Sequence, residues 1–354
     1  MISNQRILFI PVSSAEGIGE YMRSLIIAHA AKQRWPELDI HFILSRKAPY
    51  AHDCPFNSHL VDSSPTKETA KVNQIIQALN PSVVIFDASG RRSQLACARA
   101  GGAKVVFISQ HRKKRARGMK IGRAKLTDLH LVVQPEFAIE PLSWLERLKC
   151  HCFNISRPRH VGMVFTPPEP ATTALLLEKF QLAKDNYVLV NAGSGAHFIG
   201  DRLATDVFAE QAVMLAQQGV KIVLVVGRNY PAEATVHPNM VTIPSLNNDE
   251  FIALLANARA ALLSGGGTML QAIALHIPTV AVAVAKDQHE RVAACANAGV
   301  IEAVTSIDTI APALLKICSD AHNPKQRALL ANLDVPNGLE SIIRELEEIM
   351  PTCV

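Results

Sequence analysis

The sequence predicts an α/β protein with two parallel-sheet domains, and two observations support this prediction. Short apolar runs alternate with segments of helical period along 354 residues, a length that allows each of two domains its own core. The order of apolar run, glycine-bearing turn and helix begins at residue 6 and is repeated from residue 186. Two halves that open in the same way indicate two similar domains rather than one continuous sheet.

The bulk composition is that of a soluble globular chain, with 49% hydrophobic and 19% charged residues. No apolar run approaches the ~18 residues of a membrane span, and the N-terminus lacks a signal-peptide pattern. Seven cysteines without a CxxC pair are typical of reduced thiols, so we expect a cytoplasmic protein. The spacing of Cys150 and Cys152 does not fit a zinc knuckle, and we expect no metal site.

The first apolar run, residues 6–12, predicts a buried parallel strand that leads through Gly17 and Gly19 into a helix. Glu20 and Arg23 are three positions apart on the first turn of that helix. They could simply pair with each other, with Glu20 complementing the helix dipole. Alternatively, Glu20 is a general base directed from the glycine turn into the crevice beyond the strand ends.

The rest of the first half contains three further predicted strands with a candidate site residue among them. The strands are expected at residues 39–45, 81–87 and 104–109, with a loop at 46–66. Asp87 ends the strand at 81–87 and either lies at the edge where parallel sheets bind ligands or caps the next helix. We count it with Glu20 as a candidate catalytic residue.

The most basic part of the chain, residues 111–125, directly follows the strand at 104–109. Its candidate contact residues, together with Arg23, are Arg112, Lys113, Lys114, Arg115 and Arg117. One interpretation is a solvated helix face. Nucleic acid is not the expected partner, because aromatic residues are not interspersed and no recognition motif is present. An anionic acceptor or an anionic lipid surface suits the clustered cations better.

Domain boundaries follow from composition. A further strand at 130–133 closes the first half, and the proline-rich residues 150–170 predict a linker. We therefore expect an N-terminal domain at 1–160, a C-terminal domain at 161–335, and a helix within 336–354 that packs back across the cleft between them.

Two glycine turns follow strands of the second half. The first contains Gly193, Ser194 and Gly195, and the second contains Ser264, Gly265, Gly266, Gly267 and Thr268. Such a turn lets the backbone approach a ligand closely, and the N–H groups at a helix N-terminus favour an anion such as a diphosphate. The alternative is an ordinary tight turn. A polar cluster with Asp287 and Gln288 follows the next strand and would face the same crevice.

Together these motifs resemble the two-domain GT-B nucleotide-sugar glycosyltransferases, in particular the family that adds N-acetylglucosamine to a lipid-linked peptidoglycan precursor. They are also similar to the nucleotide-sugar hydrolases of pseudaminic acid synthesis. The resemblance rests on the first turn with Arg23, on the turn at 193–195 and on a final block. That block comprises Gly265, Gly266, Thr268, Gln271, Pro278, Asp287, Gln288, Asn297 and Gly299.

The resemblance implies two Rossmann-like domains facing across a cleft, with a nucleotide-sugar donor bound mainly by the second. The residues implied in donor binding are Gly17, Gly19, Gly193, Ser194, Gly195, Arg228, Ser264, Gly265, Gly266, Gly267, Thr268, Gln271, Asp287 and Gln288. Two positions depart from the family, which has His where this chain has Glu20 and Glu where it has Gln271. An amide binds a ribose hydroxyl less strongly than a carboxylate does, but UDP remains the first expected nucleotide.

The resulting hypothesis is an inverting, metal-independent glycosyltransferase of bacterial cell-surface polysaccharide synthesis. It would transfer a sugar from a UDP-linked donor to an anionic glycan or lipid-linked acceptor, with Glu20 as base and no separate cofactor. Peripheral contact with the inner face of the plasma membrane is part of this hypothesis. The alternatives are a nucleotide-sugar hydrolase of the same fold and a catalytically silent sugar-nucleotide binding protein.

Overall fold

A computed structural model describes residues 5–12, 19–232, 237–333 and 335–350. The chain forms two compact units. The first comprises the residues up to Phe165 together with those from Pro336 onward, and the second comprises Thr166–Val335. These limits lie near the predicted boundaries at 160 and 335. The predicted C-terminal helix is part of the first unit.

The first unit is built on a seven-stranded sheet in which every neighbouring pair of strands is parallel. In chain order the strands are β1 Arg6–Pro11, β2 Asp39–Ser45, β3 Asn57–Val61, β4 Val83–Asp87, β5 Lys104–Ser109, β6 Leu129–Val132 and β7 Arg159–His160. The spatial order is β3-β2-β1-β4-β5-β6-β7. The chain therefore leaves β1 toward one side of the sheet and β4 toward the other, which makes the β1–β4 boundary a topological switch point.

The helices of the first unit cover both faces of this sheet, so its central strands β1, β4 and β5 are buried except for the first residues of β1 and β5. They are α1 Gly19–Arg34, α2 Thr69–Leu79, α3 Arg92–Ala100, α4 Arg112–Gly118, α5 Ile121–Ala124 and α6 Trp144–Cys152. In β1, Ile7 and Phe9 enter one apolar core and Leu8 and Ile10 enter the other. This alternation is the period of two that a strand imposes on its side chains.

The C-terminal helix, Gly338–Ile349, completes the core of the first unit. Leu339, Ile342 and Leu346 pack with residues of α1 and β1 in one cluster. Gly338 donates its N–H to the carbonyl oxygen of Met163 at 2.7 Å, which fixes the start of the helix. The helix therefore belongs to the fold of this unit and buries the apolar stripe that its sequence predicts.

One local prediction for the first unit is wrong, and the predicted linker, which contains the boundary between Phe165 and Thr166, is correct only in part. The strand β3 lies inside the predicted loop 46–66. The sequence pattern did not indicate it, because three of the five residues in NSHLV are polar and two are exposed at the sheet edge. The predicted linker 150–170 is also partly ordered, since α6 continues to Cys152 and β7 occupies Arg159–His160.

The second unit has a six-stranded parallel sheet and a short antiparallel hairpin. Its strands are β8 Val188–Asn191, β9 Phe198–Ile199, β10 Arg202–Leu203, β11 Ile222–Val225, β12 Met240–Ile243, β13 Ala260–Ser264, β14 Thr279–Val282 and β15 Glu302–Ala303. The order of the main sheet is β12-β11-β8-β13-β14-β15, with its switch point between β8 and β13. The β9–β10 hairpin separates the first glycine turn from its helix, which the sequence pattern did not indicate.

The helices of the second unit surround a core of aliphatic and small residues. They are α7 Pro170–Lys179, α8 Ala204–Gln217, α9 Asn248–Ala256, α10 Gly267–Ala274, α11 His289–Asn297, α12 Ile310–Cys318 and α13 Asn323–Asn332. Within the described ranges of both units, no helix is long and apolar enough to cross a membrane.

Candidate functional site

The carboxyl edge of the first sheet carries a buried ion pair next to its switch point. Asp87 is the last residue of β4, and its side chain is fully buried. Arg23 of α1 binds it with two hydrogen bonds, Nε to Oδ2 at 2.9 Å and Nη2 to Oδ1 at 2.6 Å. Ser24 donates a third at 3.4 Å. Burial raises the pKa of Asp87, and the charge and hydrogen bonds of Arg23 oppose that effect.

This geometry corrects two predicted roles. Because Arg23 and Ser24 occupy both carboxylate oxygens of Asp87, this residue positions Arg23 and is not available as a catalytic base. Arg23 is only 14% exposed and holds Asp87, so it is not a free cation for an acceptor or a membrane. The Arg23 guanidinium is directed toward Asp87 and Gln110, at the ends of β4 and β5.

Glu20 is connected to this ion pair through Gln110, the residue that follows β5. Arg23 Nη2 donates to Gln110 Oε1 at 2.6 Å, and Gln110 Nε2 donates to Glu20 Oε1 at 3.3 Å. Lys114 of α4 approaches the same Glu20 oxygen at 3.7 Å, and the Glu20 side chain is 12% exposed. The side-chain amide of Gln110 therefore links the Glu20 carboxylate, at the edge of the sheet, to the charged Arg23–Asp87 pair and fixes its orientation.

The cations of α4 divide into exposed and buried positions. Arg112 and Lys113 are exposed, and Arg112 pairs with Glu140 at 2.8 Å. Arg115 is only 1% exposed and donates to the carbonyl oxygens of Glu140 and Pro141 at 2.7 and 3.2 Å. The prediction that Arg115 contacts an acceptor or a membrane is therefore wrong, because this side chain holds the segment before α6.

Four arginines lie together where the loops after β4 and β5 meet. The Arg92 side chain rests on Gly122, where an added Cβ would lie 3.2 Å from Arg92 Cδ. Arg123 donates to the carbonyl oxygen of Arg117 at 3.0 Å. Burial and then the charges of Arg117 and Arg91 lower the pKa of Arg123. Among the described residues none of these arginines has an ion-pair partner, so the cluster can accept an anion.

In the second unit the first glycine turn is held by backbone contacts that only glycine permits. Gly193 and Gly195 have φ values of 104° and 95°, in the left-handed region. A Cβ on Gly195 would lie 2.6 Å from the backbone nitrogen of Tyr230, and one on Gly227 would lie 2.4 Å from the carbonyl carbon of Ser194. The turns after β8 and β11 are therefore packed directly against each other, with the Ser194 side chain on the exposed side.

Asn191, the last residue of β8, fixes this turn from below. It is 5% exposed, and its Nδ2 donates to the carbonyl oxygens of Gly193 and Val225 at 3.1 and 2.8 Å. Its Oδ1 accepts the N–H of Gly193 at 3.1 Å. Arg228 of the neighbouring turn is exposed. The sequence reading missed Asn191, although a polar residue at the end of a buried strand is the available signal.

The second glycine turn leads from β13 into the N-terminus of α10. Gly266 is the N-cap and supplies no side-chain hydrogen bond to the first helical turn. An alanine Cβ here would meet nothing closer than 3.8 Å, and φ is −84°, so glycine is not required by the fold. Gly265, in contrast, lies tightly under α11, where a Cβ would be 2.3 Å from Val292. An uncapped N-terminus beside the switch point suits an anionic group.

The polar residues predicted around this turn have different environments. Asp287 is 79% exposed and 3.9 Å from Arg291, which donates to the carbonyl oxygen of Gly265 at 2.8 Å. Gln271 is 8% exposed. Gln288 is 6% exposed, and its Oε1 accepts the N–H of Val284 at 2.9 Å. The side-chain oxygen of Gln288 therefore holds the loop after β14. Only the side-chain NH2 group is left for the predicted contact with a sugar hydroxyl.

Of the predicted turn residues in the first unit, Gly19 is the exposed first residue of α1, whereas Gly17 lies outside the described residues. Thr268 and Gly267 form the first turn of α10. Within the described part of the chain no group of three or more His, Cys, Asp or Glu side chains is placed to hold a metal.

Comparison with known proteins gives a match in structure but not in sequence. No protein-family model and no curated protein matches the sequence. The fold is similar over 98% of the chain to the glycosyltransferase of kitacinnamycin (99% of that chain, TM-score 0.64, 16% identity). A UGT transferase from Siraitia grosvenorii in complex with UDP is similar over 98% of this chain and 100% of its own (TM-score 0.64, 12% identity).

A third similar structure is described as a UDP-N-acetylglucosamine 2-epimerase from Listeria monocytogenes. It covers 98% of this chain and 96% of its own, with a TM-score of 0.58 and 12% identity. These matches span both units, so the chain has the two-domain GT-B fold that its motifs predicted. The fold is thus shared by proteins named for sugar transfer and by one named for sugar epimerisation.

Proposed function

We propose that this protein is a glycosyltransferase that uses a nucleotide-sugar donor. The observation that carries the proposal is the full-length similarity of its fold to glycosyltransferase structures, one of them in complex with UDP. The local geometry supports it in both units. The first unit presents an oriented carboxylate, Glu20, and the second presents glycine turns with an uncapped helix N-terminus.

The donor site of the proposal is the carboxyl edge of the second sheet. Backbone N–H groups of Ser194, Gly195, Gly267 and Thr268 would bind the diphosphate, since those of Gly193 and Gly266 already donate to Asn191 and Ser264. Gln271 would accept a hydrogen bond from the ribose. Asp287 and the Gln288 amide group would bind the sugar. These donors stabilise the leaving diphosphate without a metal ion, so we propose turnover that persists in EDTA. UDP is the proposed nucleotide.

In the proposed reaction the acceptor hydroxyl attacks the anomeric carbon as the bond from that carbon to the diphosphate oxygen breaks. Glu20 takes the hydroxyl proton, and the nucleoside diphosphate leaves with the electron pair. One attack from the face opposite the leaving group inverts the anomeric configuration. Gln110 and Lys114 hold Glu20 for this step.

The proposed acceptor is an anionic glycan or lipid-linked sugar. The cluster of Arg91, Arg92, Arg117 and Arg123 supports this choice, because it follows the same two strands that supply Asp87 and Gln110 and lacks ion-pair partners within the described chain. A role in cell-surface polysaccharide synthesis rests on the sequence motifs alone and is part of the proposal.

The first test is a thermal unfolding series with UDP, dTDP, GDP, CMP and ADP. A nucleotide at about 100 times its Kd adds roughly 2.7 kcal/mol to the free energy of unfolding, which raises the midpoint visibly. We expect the largest rise with UDP. Release of UDP from UDP-sugars is then measured with and without anionic acceptors. No rise with any nucleotide would contradict the proposed donor site.

The second candidate function is chemistry on the donor alone, by hydrolysis or epimerisation. The similarity to the structure described as a 2-epimerase is the observation that favours it. Sugar release or isomerisation without any acceptor, at a rate that acceptors do not increase, would select this function over transfer. Nucleotide binding without turnover under any condition would instead indicate a binding protein.

A further inference from the structure

One helix of the first unit exposes an apolar surface. Four large side chains on or directly after α6 are exposed, with values of 67% for Trp144, 50% for Leu145, 47% for Leu148 and 40% for Phe153. The other exposed large apolar side chains of the described residues are distributed over separate elements. Single exposed apolar residues are normal, whereas a group of them marks an interaction surface. We call these four residues the α6 surface.

The spacing of these residues places them on one side of α6. Trp144, Leu145 and Leu148 occupy positions i, i+1 and i+4, which share a helix face. Phe153 follows the last turn, and Lys125 Nζ lies 5.1 Å from its ring centroid. The buried residue of the helix is Cys150, which packs in a small cluster with residues of the α4–α5 region. Within residues 5–12, 19–232, 237–333 and 335–350, nothing covers the apolar face.

The α6 surface is held in place by the folded unit. Ser143 and Glu146 form a capping box that fixes the start of α6, with the Ser143 N–H donating to Glu146 at 2.9 Å. The buried Arg115 donates to the two carbonyl groups just before the helix and lies 3.5 Å from Glu146. The buried guanidinium of Arg115 therefore fixes the position of α6 and of the side chains it exposes.

Exposed cations lie on α6 and on the segments packed against it. Arg147 is in the helix, Lys125 lies over the Phe153 ring, Arg157 follows the helix, and Lys113 and Lys120 belong to the α4–α5 region that packs against Cys150. The nearby carboxylates already have partners. Glu146 contacts Ser143 and Arg115, and Glu140 pairs with Arg112. An exposed face of Trp, Leu and Phe with adjacent Lys and Arg has the chemistry of a helix that lies in the interface of an anionic bilayer.

We propose that the α6 surface docks on a bilayer containing anionic lipid. Trp144 and the two leucines enter the headgroup region, and the exposed Lys113 of α4 and Lys120 and Lys125 on either side of α5 meet lipid phosphates. Lys114 on α4 contacts Glu20, so docking brings the proposed base close to the bilayer surface. The consequence that the acceptor is lipid-linked rests on the proposed function, whereas docking itself does not.

The test is co-sedimentation of the full chain with vesicles. We expect binding to vesicles of phosphatidylcholine with phosphatidylglycerol, and none to phosphatidylcholine alone. The chain has two tryptophans, and Trp35 is only 7% exposed, so a blue shift of the emission on binding reports Trp144. Trp144→Phe keeps a large apolar side chain, so this variant should still sediment but lose the shift.

Exposed residues allow matched variants. Leu145→Ser with Leu148→Ser should weaken vesicle binding by roughly tenfold or more, because two buried leucine side chains are lost from the interface. The control is Leu175→Ser with Met214→Ser, which removes side chains of 67% and 48% exposure from the second unit. Lys113→Gln with Lys120→Gln should cost about fivefold for each charge, whereas Lys184→Gln with Lys325→Gln should change nothing.

Several outcomes would overturn the docking proposal: equal sedimentation with both vesicle types, full binding by the Leu145→Ser, Leu148→Ser variant, or no binding at low salt. Sedimentation velocity adds another, since a dimer that the same variant dissociates would make a second copy the occupant. The nucleotide series uses no vesicles. Vesicle binding without any nucleotide effect would therefore reject the proposed function and leave the docking proposal intact. A nucleotide effect without vesicle binding would reject docking and leave the proposed function intact.

Discussion

The two units present different chemical groups at the carboxyl edges of their sheets, side chains in the first and backbone N–H groups in the second. At the β1–β4 switch point the first unit places charged and polar side chains, Asp87, Arg23, Gln110 and Glu20, in one hydrogen-bonded chain. At the β8–β13 switch point the second unit places glycine turns, with Asn191 the buried side chain that supports one of them. One edge is built to hold charge, and the other to expose backbone N–H groups.

This difference assigns different chemistry to the two units. A carboxylate in a side-chain network can take a proton, and its orientation depends on each link of the chain. Backbone N–H groups do not titrate, and they bind anions at any working pH. A reaction with one proton transfer and one departing diphosphate needs both kinds of group. Substitutions that act on one unit alone should therefore separate the two functions.

The largest expected effect is on stability, from loss of the cation in the first unit. Arg23→Met leaves the fully buried Asp87 without its partner, and we expect a loss of about 3–5 kcal/mol in the free energy of unfolding near pH 7. Adding Asp87→Asn removes the buried charge and should restore much of the loss. Denaturant melts of the two single variants and the double variant measure this. Equal stability of Arg23→Met and the wild type would show that the ion pair does not hold the edge.

The pH dependence of Arg23→Met follows from the same burial. Burial raises the pKa of Asp87, and without Arg23 nothing comparable opposes it. A carboxyl whose pKa is higher in the folded than in the unfolded protein binds more protons in the folded state. The free energy of unfolding therefore falls as the pH rises between the unfolded-state and folded-state pKa values. The deficit of Arg23→Met should therefore shrink as the pH is lowered from 8 toward 5. A deficit that grows on acidification would contradict this.

The second effect is on turnover. Glu20→Gln should reduce turnover by roughly 10²-fold or more, because the amide cannot take the acceptor proton. Nucleotide-induced stabilisation should be unchanged, since the proposed donor site lies in the second unit. Glu37→Gln, at an exposed position beyond the same helix, is the matched control. Wild-type turnover in Glu20→Gln would remove this residue from the mechanism.

The fold was largely predictable from sequence, whereas the partners within the site were not. Buried strands such as β1 and β13 carry apolar runs that a parallel sheet requires, so their period identified them. The polar edge strand β3 had no such signal. Glu20 was predicted as a site residue because it follows a glycine turn, but its link to Asp87 through Gln110 joins residues distant in sequence. The exposed or buried state of Arg112 and Arg115 likewise depends on tertiary contacts.

The third effect is on nucleotide affinity and belongs to the second unit. Gly266→Ala should leave the unfolding midpoint without ligand unchanged, because the added methyl group has room and φ is −84°. The same methyl group would stand where a diphosphate approaches the N-terminus of α10, so we expect at least roughly tenfold weaker UDP binding. Gly101→Ala, at another glycine with ordinary contacts and negative φ, is the control. Titration calorimetry measures both, and equal UDP affinity would mean that the ligand does not approach Gly266.

The smallest effect concerns the acceptor and tests whether the arginine cluster serves binding rather than stability. In the described chain the side chains of Arg92 and Arg117 have no ion-pair partner and lie in a group of like charges, so Arg92→Gln and Arg117→Gln should not lower the free energy of unfolding by more than about 0.5 kcal/mol. Each should raise the KM for an anionic acceptor about fivefold, an effect that added salt diminishes because it screens exposed charges. Arg46→Gln, exposed in the same unit, should leave KM unchanged. If both cluster variants destabilise the protein and keep the KM of the wild type, the arginines serve the fold, and the anionic acceptor loses its structural support.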